Sequence, residues 1–111
     1  MDKPQIKEAV LEITDQLIKI RRYLHANPEL SFKEEKTADY ISSLLSDWHI
    51  PHKTNIGGYG IVGVIEGKNS GSMVIALRAD MDALPISEEN DVSYCSTNSG
   101  VMHACGHDVH M

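Results

Sequence analysis

Apolar positions recur at spacings of four and three along the first part of the chain: Ile6, Val10, Ile13, Leu17, Ile20 and Leu24. That period places them on one face of a helix, with Lys7, Glu8, Asp15 and Arg21 available to solvent. A spacing sustained this long also suits a coiled coil. The pattern breaks at Asn27-Pro28, which favours a single helix facing the core of its own domain. The residue before a proline is driven out of the helical region, so the helix is expected to end near Ala26. A second helix follows. Ser31 and Glu34 stand three apart, as in a capping box. Thr37, Ile41, Leu44 and Trp48 then form a stripe, flanked by Ala38 and Leu45, and the helix is expected to stop before Ile50-Pro51.

Beyond Pro51 the helical period is lost. His52–Ile56 is a modest strand candidate, Gly57-Gly58-Tyr59-Gly60 a turn, and Ile61-Val62-Gly63-Val64-Ile65 a β-rich run. Gly67-Lys68-Asn69-Ser70-Gly71 is a second turn. Met73-Val74-Ile75-Ala76-Leu77 is apolar at every position, which predicts a strand covered on both faces in a layered α/β structure. The short turn between the last two runs predicts an antiparallel hairpin. From Asp80 to Gly100 no period is visible, and long irregular segments in compact domains are often functional. The fold class expected is α/β in one domain, with no internal repeat and no linker.

Composition narrows the function. The chain has 111 residues, 41% of them hydrophobic and 23% charged, with a net charge of −6. An acidic balance disfavours a nucleic-acid partner, which needs a basic face, and gives no signal for an anionic membrane surface. No apolar stretch approaches the roughly 20 residues of a membrane span. The first residues lack the apolar core of a signal peptide, so a cytoplasmic protein is expected. Cys95 and Cys105 are too few for a disulfide scaffold. In a reducing compartment a metal or catalytic role is favoured over a bridge.

Candidate chemistry concentrates in His103-Ala104-Cys105-Gly106-His107-Asp108-Val109-His110. Six histidines in 111 residues put about 0.4 in a window of eight, and this window holds three. Imidazole and thiolate suit zinc and its neighbours, not calcium or magnesium. In an extended segment residues i and i+2 point to one side, so Cys105 and His107 can reach one ion. Gly106 between them permits an unusual backbone angle. The spacing matches no structural zinc finger. The plainer alternative is an exposed polar stripe, since 103, 107 and 110 also share one face of a helix, with Cys105 a small buried hydrophobe.

A second cluster, Arg78-Ala79-Asp80-Met81-Asp82-Ala83-Leu84-Pro85, follows the most apolar run. Ligand sites in α/β folds gather beyond the carboxyl ends of strands. Asp80 or Asp82 can hold the N–H of a metal-bound imidazole; an ordinary ion pair with Arg78 is the competing reading. The glycines at 57, 58 and 60 do not form a phosphate-binding loop, and no nucleophile elbow is present. His25 closes the first helix, where a cation suits the dipole, and reads as structural. His49 and His52 read as surface loop residues.

Three ordered segments resemble signatures of the M20 metallopeptidase family, in its amidohydrolase branch. These are Leu24-His25-Ala26-Asn27-Pro28-Glu29-Leu30-Ser31-Phe32 with Glu35 and Thr37, then Arg78 to Pro85, then His103-Ala104-Cys105-Gly106-His107-Asp108. The branch includes N-acyl-amino-acid amidohydrolases, hippurate hydrolases and auxin-conjugate hydrolases. The resemblance implies a zinc-exopeptidase-like mixed sheet flanked by helices. It implies two divalent ions (zinc, manganese, cobalt or nickel) and a small N-acyl amino acid substrate, and leaves a homo-oligomer open. Cys105 would be a thiolate ligand bridging the ions, His107 a ligand to one of them, and Asp80 an orienting carboxylate. Arg78 stands where the wider family keeps a histidine, and is not a ligand.

The resemblance further implies that residues 1–111 are only the N-terminal part of a metal-binding catalytic domain. The general-base glutamate, further ligands and the dimerisation domain of relatives lie beyond Met111, and Glu88 and Glu89 match no catalytic position. The expectation is that the full-length protein hydrolyses the amide of N-acyl amino acids while these 111 residues alone do not. The competing expectation is a small non-catalytic metal-binding or interaction module ending at Met111, with the stripe of its first helix as a dimer face.

Overall fold

The chain was analysed as a computed structural model that describes residues 2–68, 71 and 73–111. Its elements, in order, are α1 (Lys3–Ala26), α2 (Glu35–Asp47), β1 (His52–Ile56), β2 (Gly60–Gly63) and α3 (His107–His110). Asp2 starts α1 through a capping box: its carboxylate accepts from Gln5 N–H at 3.0 Å, and the Gln5 side chain accepts from Asp2 N–H at 2.9 Å. The helix ends where expected. Asn27 closes it by donating its backbone N–H and its side-chain amide to Tyr23 O, ahead of the buried Pro28.

The start of α2 differs from the capping box expected at Ser31 and Glu34. Glu34 is the N-cap but makes no side-chain cap bond. The free N–H groups are taken instead by Glu29. Its carboxylate accepts from Lys36 N–H at 3.2 Å, and from Thr37 N–H and Oγ1–H at 2.7 Å each. A carboxylate at a helix N-terminus satisfies orphan donors and complements the helix dipole. Ser31 is thereby released, and its hydroxyl donates to Asp82.

β1 and β2 form a two-stranded antiparallel hairpin, pairing His52 with Gly63, Lys53 with Val62 and Ile56 with Gly60. The turn expected at 57–60 is present. Gly57 and Gly58 adopt φ of 62° and 111°, and a Cβ on Gly60 would stand 2.3 Å from Ile56 O. His52 is not a free surface residue: its ring bonds Ser42 on α2 at 2.8 Å and Ile50 O at 2.9 Å.

The expected strand over residues 73–77 is not formed, and neither is its hairpin with the 61–65 run. Residues 73–77 are irregular, and Met73, Val74, Ile75 and Leu77 are 80–96% exposed. Asn69 and Ser70 of the expected second turn lie outside the described residues. A run that is apolar on both faces needs a strand on each side and a layer above and below. Among the described residues it has none of these. The core-facing role expected for α1 holds only at its last turns, where Leu24 and His25 are buried; Ile6, Val10, Ile13 and Leu17 are 45–49% exposed. A helix of 24 residues is about 36 Å long, and the side-chain contacts described between it and later segments come from its C-terminal end, at Arg21, Arg22, Tyr23 and His25.

The small core consists of Leu24, Pro28, Ala38, Ala83 and Val101. It lies under a seam of isolated bridges. Leu30 pairs in parallel with Ala83, and Leu84 pairs antiparallel with Met102. Ala83 N–H donates to Glu29 O at 2.7 Å, while Leu84 and Met102 exchange bonds of 2.9 and 3.0 Å. The three segments singled out by their chemistry therefore run side by side.

Candidate metal centre

Gly106 sets the geometry of the histidine-rich turn. Its φ of 83° and ψ of 17° are left-handed, and α3 begins at the next residue. Glycine reaches this region without the clash a Cβ would bring, as the sequence led one to expect. Cys105 is an exposed free thiol on one side of it. On the other side His107 is held from the seam. Its Nδ1 stands 2.8 Å from Asp82 O and 3.1 Å from Asp82 Oδ1. Both are acceptors, so Nδ1 carries the proton and Nε2 keeps its lone pair. This is how metal-binding histidines are usually oriented. The Asp82 carboxyl lies below the usual carboxylate range, chiefly because the Ser31 hydroxyl donates to it, with His107 adding to the effect against a smaller opposing cost of burial.

Asp80 sits elsewhere. Its carboxylate accepts from Arg78 Nε at 2.9 Å, in a pair whose side chains are 45% and 86% exposed. Such a surface pair contributes little to stability. The carboxylate that reaches His107 is Asp82, two residues on. His110 is exposed, whereas His103 and Asp108 are buried.

Behind the turn lies a buried polar cluster. His25 Nδ1 stands 2.8 Å from Asp108 Oδ2, and Nε2 stands 2.8 Å from Glu88 Oε1. The side chains of His25, Glu88 and Asp108 are 5%, 4% and 1% exposed. Arg21 Nε approaches Asp108 Oδ2 at 2.9 Å. Glu88 also accepts from Asn90 Nδ2 and from Ser96 N–H. Burial raises the Glu88 carboxyl, but the hydrogen bonds from His25, Ser96 and Asn90 together outweigh it and bring it down to about 2. Sequence reasoning assigned His25 a helix-end role and gave Glu88 none. The available signal was His25 within the Leu24 to Phe32 segment; nothing local marked Glu88, which is 63 residues away in the chain.

Among the described residues, no group of three or more His, Cys, Asp and Glu side chains is arranged to hold an ion. The donors present still fit a share in one. Cys105 and His107 supply thiolate and a pre-oriented imidazole. Both nitrogens of His103 and Asp108 Oδ1 are buried without a hydrogen-bond partner. Orphaned buried atoms cost about 1–3 kcal/mol each and call for an explanation such as a bound ion. Burial also lowers the His103 imidazole pKa, the largest effect on it, with Asp108 opposing.

A mixed α/β scaffold thus presents a histidine and a thiol on one glycine-hinged turn. The model of peptidase family M20/M25/M40 matches residues 76–111. The chain is 48% identical, over 99% of its length and 30% of the relative's, to an N-acyl-L-amino acid amidohydrolase of Geobacillus stearothermophilus. It is 47% identical, over 96% and 27%, to thermostable carboxypeptidase 2 of Saccharolobus solfataricus. The YxeP protein of Bacillus subtilis, described as a dinuclear metal-binding peptidase of the M20 family, superposes with a TM-score of 0.81 at 43% identity, over 86% of this chain and 27% of that one. The chain thus carries the sequence and fold of the N-terminal part of the M20 peptidase family, and spans between a quarter and a third of the length of these relatives.

Proposed function

We propose that this chain is the N-terminal part of a metal-binding catalytic domain that hydrolyses the amide bond of N-acyl amino acids. The observation that carries the reading is His107, whose Nδ1 is held by Asp82 so that Nε2 keeps its lone pair, two residues along the chain from the exposed Cys105 thiol. Cys105 and His107 would hold the metal, with two divalent ions (zinc, manganese, cobalt or nickel) in the complete centre. Bound ions of this kind polarise the acyl carbonyl and lower the pKa of a metal-bound water. The chain's own share is orientation: Asp82 fixes the tautomer and direction of His107, and Gly106 turns Cys105 and His107 about one hinge. Asp80 is assigned an orienting role by its place in the Arg78 to Pro85 segment. Likeness to an amidohydrolase and a carboxypeptidase supports amide hydrolysis.

Titrating the chain with Co²⁺ tests the metal reading. A thiolate-to-cobalt charge-transfer band is expected, absent in Cys105→Ala and weakened in His107→Ala. Unchanged spectra in both variants would remove these residues from the site. Two donors fall short of the three protein ligands usual at a catalytic zinc, so no release of amino acid from N-acetyl amino acids is expected from these 111 residues alone. Metal-dependent turnover by them would refute that division of labour.

A further inference from the structure

His25 stands between two buried carboxylates. Its Nδ1 lies 2.8 Å from Asp108 Oδ2 and its Nε2 2.8 Å from Glu88 Oε1. Arg21 reaches the same corner, with Nε 2.9 Å from Asp108 Oδ2 and Nη2 3.4 Å from His25 Nδ1. Removing one partner from such a site leaves the others short of hydrogen bonds where water does not reach, which is costly.

The partners come from distant parts of the chain. His25 is in the last turn of α1, Glu88 in the long irregular segment, and Asp108 in the first turn of α3, next to His107. Glu88 also receives Ser96 N–H, and the adjoining Thr97 donates to Ala26 O at the end of α1 through both its backbone N–H and its hydroxyl. Of the large cationic side chains nearby, Arg21 and Arg22 lie over the Tyr94 ring, and Tyr94 in turn packs edge-on against His25.

We propose that His25 is a positioning residue for the metal-binding turn: held between the two carboxylates, it ties Asp108 to Glu88 and so fixes where α3 presents the His107 imidazole. The proposal rests on the metal-binding reading of Cys105 and His107. Partners one step removed from a ligand typically change metal affinity by about 10–100-fold when mutated. His25→Gln, whose side chain cannot reach both carboxylates as the ring does, is therefore expected to weaken Co²⁺ binding at least tenfold. Ala38→Gly, in α2 and away from the turn, is expected to lower the melting temperature without moving Co²⁺ affinity.

Nitrogen-15 NMR of the unmodified chain supplies a readout that does not depend on metal or on the folding of a variant. A His25 ring N–H in slow exchange with water is expected, as a bond to a buried carboxylate requires. A freely exchanging His25 ring, or wild-type Co²⁺ affinity in His25→Gln, would overturn the positioning role alone. A wild-type chain showing the slow His25 N–H but no cobalt–thiolate band would instead overturn the metal reading, and the positioning role with it.

Discussion

Acidification provides a direct test of the buried cluster through Glu88. Its carboxyl stands at 4.5 in its ordinary state and at about 2 in the folded chain. A carboxyl that holds its proton less tightly when folded favours the folded state once it is ionised. That contribution is complete above pH 4.5 and is lost as the pH falls toward 2. At 1.36 kcal/mol per pH unit the ceiling is about 3 kcal/mol. The side chain is only 4% exposed, but the shell around it is thin, and screening by nearby water brings the expected contribution to roughly 1–2 kcal/mol. The assay is urea denaturation of the wild type and Glu88→Gln at intervals from pH 7 to 2. The gap between the two is expected to be widest above pH 5 and to narrow by roughly 1–2 kcal/mol by pH 2. Parallel stability curves across that range would refute the assignment of a buried, ionised Glu88 held by His25.

Two further outcomes follow from packing and capping. Glu29→Ala removes the carboxylate that accepts from Lys36 and Thr37, and is expected to destabilise the chain by about 0.5–2 kcal/mol, as loss of a helix cap does; Ser31→Ala should not reproduce the effect through α2, which thermal denaturation followed by circular dichroism would check. Residues 73–77 expose a continuous apolar run, so Ile75→Lys is expected to reduce self-association of the chain in sedimentation velocity, and an unchanged distribution would show that this run is not the sticky surface.

Local signals in the sequence were sufficient for the elements built on local interactions. The end of α1 before Pro28, the end of α2 before Pro51, the glycine turn at 57–60 and the left-handed Gly106 all depend on preferences of a few consecutive residues, and the structure bears them out. The three signature segments also pointed to their family, because identity and order of side chains are properties of the chain itself. What tertiary structure decided was pairing. Glu29, not Ser31, caps α2, because the Glu29 carboxylate is brought over the free N–H groups and Asp82 draws the Ser31 hydroxyl away. The 73–77 run, strand-like by composition, is irregular and exposed, since a strand exists only with partners to complete its hydrogen bonds. His25 meets Asp108 across 83 residues and Glu88 across 63. No periodicity or spacing encodes those contacts; they arise where folding removes three polar side chains from water and leaves them one another as partners.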